Sequence, residues 1–304
     1  MKKCKSGLFV ILFLISCSGT SINTKSNLTE IEIWKLSWRL VSSSWDKNYQ
    51  LGEQQFDSLL SIDPTVEAKF LVTGLEILFE LGKREKIVKI LKTQDSKLLV
   101  DVCNRELFTK RLPDIEVCKS ISKQEIVKNK DIQIELIRMY VNDQAVRGNI
   151  MNDIISNYNV DTNSIVKENA IKVDELNRIR LKEIFRDMGF PTRELVGKVA
   201  MQGVFIMIQH SDMDKEWQKI QLPNIENAVK QGDMDGQSYA YLYDRIKINS
   251  GEKQLYGTQF SNVDPVKRTV QLADTEDLEN LDSRRMFVGM MPIEMYKQMM
   301  LKNL

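Results

Sequence analysis

The chain has a single histidine, His210, in 304 residues. It follows residues 195–209, which are apolar apart from a few positions. A helix over that stretch puts the imidazole at its C-terminal end, where the macrodipole favours the charged form by roughly 0.3–1 kcal/mol. Asp212 lies two residues on. An imidazole so placed works as a general acid or base near neutral pH, with Asp212 to orient it. Capping the last carbonyls of the helix is the plainer use of the same residue. Asp244 and Arg245 are neighbours on another predicted helix and project about 100° apart, so they reach different partners. Arg245 has two uses. It can pair with Asp143, Asp174 or Asp212 and hold helices in register, or it can join Arg147 and Arg285 in clamping an anion, since guanidinium forks match carboxylate and phosphate. Gln254, Tyr256 and Thr258 fall on one face of a predicted strand, next to Gln259. Gly257 between them permits close approach. Such amides, hydroxyls and one aromatic ring suit a small polar ligand such as a sugar or peptide. The expected pocket therefore comprises His210, Asp212, Asp244, Arg245, Tyr256, Thr258, Gln259 and Arg285, with Asp143, Arg147 and Gln254 as a clamp.

Other chemistries lack their residues. There is no nucleophile elbow, phosphate loop or dinucleotide fingerprint. One histidine leaves no multi-histidine metal site, and no spacing recommends a site built from oxygen ligands, so neither metal nor cofactor is expected. With 43 Lys+Arg against 42 Asp+Glu, the chain lacks the basic excess of a nucleic-acid binder. At 42% hydrophobic with 14 Gly and 6 Pro, it can bury a substantial core and is neither disordered nor fibrous.

The elements that must position these residues read as mainly α: helical hairpins over 30–130, then an α-helical domain over 131–304 with one small β-hairpin near 254–272. Trp34, Trp38 and Trp45 share one side of a helix. Phe56, Leu59 and Leu60 mark a second, which stops before Asp63-Pro64. Residues 66–81 form a third, ended by Gly82, and 83–92 a fourth. Further helices are predicted near 131–156 and 168–188, and Gly189-Phe190-Pro191-Thr192 breaks the chain. In the apolar helix 195–209, Gly197, Ala200 and Gly203 recur at every third position and let a neighbour approach closely. Pro223 opens a helix to about 230, and 236–248 is another. Strand-like 254–260, a turn at 261–265 and alternating 268–272 make the hairpin. Short helices near 275–283 and 292–301 close the chain.

The N-terminus is an address. Lys2, Lys3 and Lys5 precede an apolar run over 8–15 that is too short to span a bilayer, which takes about 20 residues, and that fits a secretory signal. Leu14-Ile15-Ser16-Cys17 resembles the bacterial lipobox. The resemblance implies cleavage before Cys17, diacylation of its thiol and acylation (palmitate-type) of its new amine, so that two or three chains anchor the protein firmly. It makes 1–16 a signal peptide and 17–29 a flexible tether. With Ser18 where an inner-membrane retention signal has aspartate, it points to a cell-envelope lipoprotein of the outer membrane. Loss of three lysines leaves 40 basic against 42 acidic residues, a net charge of −2. Cys103 and Cys118 then remain, an even pair outside the cytoplasm and a possible disulfide.

Two more resemblances follow. Leu78-Phe79-Glu80-Leu81-Gly82-Lys83 with Ile87 and Leu91 resembles, weakly, the middle of a tetratricopeptide repeat over about 50–92. Residues 143–296 resemble an uncharacterised bacterial domain family of unknown function. The likeness rests on Gln209-His210-Ser211-Asp212, Gln218, Asp244-Arg245, Gln254-x-Tyr256-Gly257-Thr258-Gln259, Arg285, Gly289 and Tyr296. Asp143-Gln144-x-x-Arg147 and Asp174-x-x-Asn177 fit as well, and Gly189-Phe190-Pro191 stands where relatives have Gly-Trp-Pro. The resemblance implies no activity. The expected role is a binding or interaction module held at the membrane, taking a small polar ligand or an envelope protein partner. The alternatives are a hydrolase or lyase on an envelope component with His210 as general base, and a purely structural assembly protein.

Overall fold

In a computed structural model, which describes residues 28–121, 125–161 and 169–302, the chain is mainly α-helical with one small antiparallel hairpin. Cys17, the expected signal peptide and most of the expected tether lie outside the described residues. Helix α1 (Glu30–Trp45) opens with Glu32 accepting the Thr29 N–H at 2.7 Å, a capping arrangement that satisfies an end donor. It buries Trp34 and Trp38 and leaves Trp45 exposed at its last turn. Helices α2 (Tyr49–Ile62), α3 (Ala68–Glu80), α4 (Arg84–Leu91), α5 (Ser96–Cys103) and α6 (Glu116–Lys119) follow, with a π-turn at Leu107–Arg111. All contribute to one apolar cluster around Phe56, Leu71, Leu75 and Leu78. Fully buried leucines of this kind stabilise by roughly 1.5–3 kcal/mol each.

Cys103 of α5 and Cys118 of α6 are joined in a disulfide that closes a 15-residue separation. Closing a loop of that length stabilises by about 3 kcal/mol on the chain-entropy account. Urea unfolding with and without reductant is expected to differ by that amount, and coincident curves would contradict it.

Helices α7 (Lys130–Ala145), α8 (Asn152–Tyr158), α9 (Ala170–Met188), α10 (Arg193–Val196), α11 (Lys198–Gln209), α12 (Lys215–Lys230) and α13 (Gly236–Asn249) form the second part, around a separate cluster of Leu136, Leu181, Val204 and Ile208. The hairpin pairs β1 (Phe260–Asp264) with β2 (Thr269–Leu272), Val263 opposite Val270, with an irregularity after Phe260. Helices α14 (Leu281–Phe287) and α15 (Ile293–Lys302) end the fold. They pack back on the first cluster through Met286, Met291 and Met295, and Trp34 Nε1 donates to the Met290 carbonyl at 2.9 Å. Among the described residues, no helix is long and apolar enough to cross a membrane.

Several predicted elements are corrected. The helix expected over 131–156 is two, α7 and α8, because Gly148 adopts φ +80° between them. The helix over 195–209 breaks at Gly197, whose φ is +83°. That conformation calls for glycine, and a Cβ there would also push on the end of the Gln133 side chain, 2.7 Å away. Pro223 lies inside α12 rather than at its start. Residues 254–259 are not a strand; pairing begins at Phe260, so the predicted turn at 261–265 is mostly strand β1. The first of the two closing helices sits later than predicted, at Leu281–Phe287.

Candidate functional site

The approach of α7 to α11 depends on Gly203. A Cβ at this position would sit 2.7 Å from Tyr140 Cβ, so its absence lets the two backbones close together. One consequence is that His210, the residue capping α11, reaches Asp143 near the end of α7. Its Nδ1 lies 2.8 and 3.1 Å from the two carboxylate oxygens. Asp143 is fully buried. A carboxylate only accepts, so Nδ1 carries the proton, and the lone pair of the neutral ring is then on Nε2. Nε2 bonds to no described residue, and the His210 side chain is 17% exposed. The orienting carboxylate is therefore Asp143, in correction of the expectation for Asp212.

Around this pair, Gln144 Nε2 donates to Asp143 Oδ2 at 2.9 Å, and Arg147 Nη1 donates to the Asp143 carbonyl at 2.9 Å. Arg147 Nη2 forks onto both oxygens of Asp174 on α9, at 2.7 and 2.8 Å. Asp143, Asp174 and His210 present ligand atoms within 4.8 Å of one another, a grouping that positions 143, 174 and 210 do not betray because each rides a different element. A guanidinium already stands at this grouping: Arg147 Nη1 is 3.3 Å from Asp143 Oδ1. A metal ion would have to displace it.

The other arginines of the expected clamp go elsewhere. Arg245 forms a bidentate pair with Asp212, its Nε at 2.8 Å from Oδ1 and its Nη2 bonded to Oδ2. Half-burial is the largest single influence on the Asp212 carboxyl and pushes it up, but the hydrogen bond and charge of Arg245 together with the Gln218 and Asn249 amides outweigh it, and the net direction is down. Gln218 Nε2 donates to the carbonyls of Ile208 and Gln209 at 3.2 and 3.0 Å, tying α12 to the end of α11. Arg285 is wholly buried. It donates to the carbonyls of Met291 (2.7 Å) and Tyr256 (2.6 Å) and lies over the Tyr296 ring at 5.0 Å, and burial lowers its pKa. Arg147, Arg245 and Arg285 thus have separate partners and form no common clamp.

The 254–259 segment is a loop wrapped on a buried carboxylate. Asp244 accepts from the backbone N–H groups of Leu255 (2.8 Å), Tyr256 (3.0 Å) and Thr258 (3.0 Å). Burial pushes its carboxyl up and these donors pull it back, with a net upward direction. Gln254 Nε2 donates to the carbonyls of Gln259 and Ala273 at 2.9 and 3.0 Å, and its Oε1 accepts from the Gln259 N–H at 2.8 Å. Gln259 Nε2 donates to Thr258 Oγ1 at 2.9 Å. The polar groups expected to face a ligand hold the loop together instead, and Gly257 allows the turn with φ +67°. Tyr256 packs edge-on against Tyr239 and Tyr243, and burial pushes its hydroxyl up to about 12. It lines a cleft of about 330 Å³ with Asn280, Ser283, Arg284, Phe287 and Val288, which neither His210 nor Arg245 lines. The expected single pocket is three constellations: His210 with Asp143, Arg245 with Asp212, and the Tyr256 loop on Asp244.

Residues 130–303, more than half of the chain, match the model of a family of unknown function, DUF6624. The chain belongs to this family. The DUF6624 domain begins with the first residue of α7 and runs through α15, so all three constellations lie inside it. No curated protein and no solved structure matches the chain.

One further residue of the DUF6624 domain escaped the sequence reading. Arg178 follows Asn177 on α9, and nothing in its spacing distinguishes it from a solvated surface arginine. In the fold its guanidinium is largely buried, and Nη1 has no hydrogen-bond partner.

Proposed function

We propose that this chain is a lipid-anchored protein of the cell envelope whose DUF6624 domain performs general acid–base chemistry, as a hydrolase or lyase on an envelope component. The observation that carries the catalytic reading is the His210–Asp143 pair: a buried carboxylate fixes Nδ1–H and leaves a basic Nε2 open. That is the division of labour by which an aspartate prepares a histidine to take a proton. A positioned base of this kind contributes about 10²–10⁴-fold to rate. Arg245 and Tyr256 drop out of the mechanism, since each has its own structural partner.

Because His210 is the only histidine, diethyl pyrocarbonate tests the reading at one site. The folded protein is expected to take a single imidazole adduct on Nε2, and the ¹⁵N spectrum of its one imidazole to show the Nδ1–H tautomer. A folded protein that resists the reagent until unfolded, or that shows Nε2–H, overturns it. A second reading, a binding module without turnover, is favoured by buried polar atoms that lack partners, Asn177 Nδ2 and Gln218 Oε1 among them. It predicts ligand capture with no chemical change in the ligand.

The envelope reading rests on the lipobox-like Leu14-Ile15-Ser16-Cys17, and the Cys103–Cys118 bridge suits an oxidising compartment. Ser18 supports the outer membrane as destination. Cys17→Ser is expected to release the protein from the membrane fraction and to abolish acyl labelling. Continued membrane association without label would refute the anchor.

A further inference from the structure

Two residues of α9 are buried without the partners such burial requires. Asn177 is 6% exposed and its side chain makes no hydrogen bond within the described residues, with Nδ2 sealed from solvent. Arg178 has a side chain 14% exposed, and its nearest carboxylate, Asp214, is 3.8 Å from Nε. That is beyond good hydrogen-bond reach, and Nη1 is sealed and unpartnered. A buried amide left unsatisfied costs about 1–3 kcal/mol, and more for a charged group, so each such case calls for a missing partner. Both missing partners are acceptors, because Nδ2 and Nη1 only donate.

Their location says what the acceptor meets. Asp174, Asn177 and Arg178 stand at i, i+3 and i+4 and share one face of α9. On that face Asp174 already approaches His210 and Asp143 to within 4.8 Å. Arg178 lies 3.8 Å from Asp214, four residues beyond His210. The two unpartnered donors therefore lie on the helix face that brings Asp174 to His210 and beside the turn that follows His210. The carboxylates of the neighbourhood are answered elsewhere: Asp174 and Asp143 by Arg147, Asp214 by Lys182 at 2.7 Å, and Asp212 by Arg245.

We propose that Asn177 and Arg178 bind an oxyanion group, a carboxylate or phosphate, on the ligand of this site, and present the adjoining atoms of that ligand to His210. The guanidinium supplies charge and a planar fork that fits either group, and the amide supplies a second donor. During turnover the same pair stabilises negative charge that develops as His210 removes a proton. This assignment rests on the general-base reading for its role in turnover, but the anion site stands by itself.

The test uses inorganic phosphate and acetate on the folded full chain. The signals of the single imidazole are followed by NMR, and its protection against diethyl pyrocarbonate is measured. At least one of the two anions is expected to move the His210 signals saturably and to slow carbethoxylation. Saturation by phosphate alone assigns a phosphoryl ligand, and by acetate alone a carboxylate. Arg178→Gln and Asn177→Ala are expected to weaken that affinity by about tenfold or more, whereas Arg186→Gln, on the exposed side of the same helix, leaves it as in the native chain. Should Arg178→Gln fail to fold, Arg178→Lys keeps the charge without the fork and is expected to show the same weakening. Linear, unsaturable shifts, or equal affinity in the Arg178 variants, overturn the proposal. Saturable binding to a His210 that resists the reagent would discard the base and keep the anion site; a reactive His210 with no saturable anion does the reverse.

Discussion

Asp143→Asn is expected to disable His210 without unfolding the domain. The native carboxylate receives Nδ1–H at 2.8 Å, the Gln144 amide at 2.9 Å and the Arg147 guanidinium at 3.3 Å. All three are donors, and an amide in the same place offers one acceptor oxygen where there were two. Its NH₂ group must face a donor, and where it faces the imidazole it draws the proton from Nδ1 to Nε2. A ring protonated on Nε2 is neither a base nor a nucleophile on its open side. Reaction with diethyl pyrocarbonate should slow, the ¹⁵N spectrum should show Nε2–H, and turnover, once a substrate is in hand, should fall about 10²–10⁴-fold. Retention of both the native tautomer and the native rate would show that Asp143 does not govern the ring. Asp212→Asn supplies the contrast, since Asp212 bonds Arg245 and not the imidazole, and its effect should fall on stability.

The second large effect is structural. Asp244→Ala removes the acceptor on which the N–H groups of Leu255, Tyr256 and Thr258 converge. Each N–H stranded away from water costs about 1–3 kcal/mol. The loop also supplies the Tyr256 carbonyl that Arg285 grips at 2.6 Å, so its loss strands part of a buried guanidinium as well. A total of about 3–5 kcal/mol is expected by denaturant unfolding, the lower part of the range for three such stranded groups. That is a large share of the 5–15 kcal/mol typical of a domain. A loss under about 1 kcal/mol, the usual scale of a surface change, would mean that the loop is held by Gln254 alone.

The two predictions separate two kinds of residue that look alike along the chain. Asp143 and Asp244 are both fully buried aspartates near helix C-termini. One faces an imidazole that opens to water, and the other faces only backbone. Burial alone does not distinguish them; the identity of the donor does.

Much of the architecture follows from local order in the sequence. The apolar periodicity around Trp34, Phe56 and Ile87, together with Asp63-Pro64, Gly82 and Gly189, is enough to mark where helices run and stop, because those limits depend on backbone sterics and on which face must leave water. Where helices predicted as single elements divided, at Gly148 and Gly197, the cause is a positive φ, which glycine permits but does not announce. The 254–259 segment has strand composition and yet forms a loop, because the Asp244 carboxylate offers its N–H groups a better partner than a neighbouring strand. That partner is ten residues or more away in sequence.

For the site, the sequence alone determined which groups exist: one imidazole at the end of an apolar helix, acids and arginines on the helices around it, and a cysteine pair. Tertiary structure decided who meets whom. Asp212, two residues from His210, turned to Arg245, while Asp143, 67 positions away, took the ring. The reason is geometric. Hydrogen bonds and ion pairs act over about 3–4 Å, and that distance is set by how closely α7 and α11 pack across Gly203, not by separation along the chain.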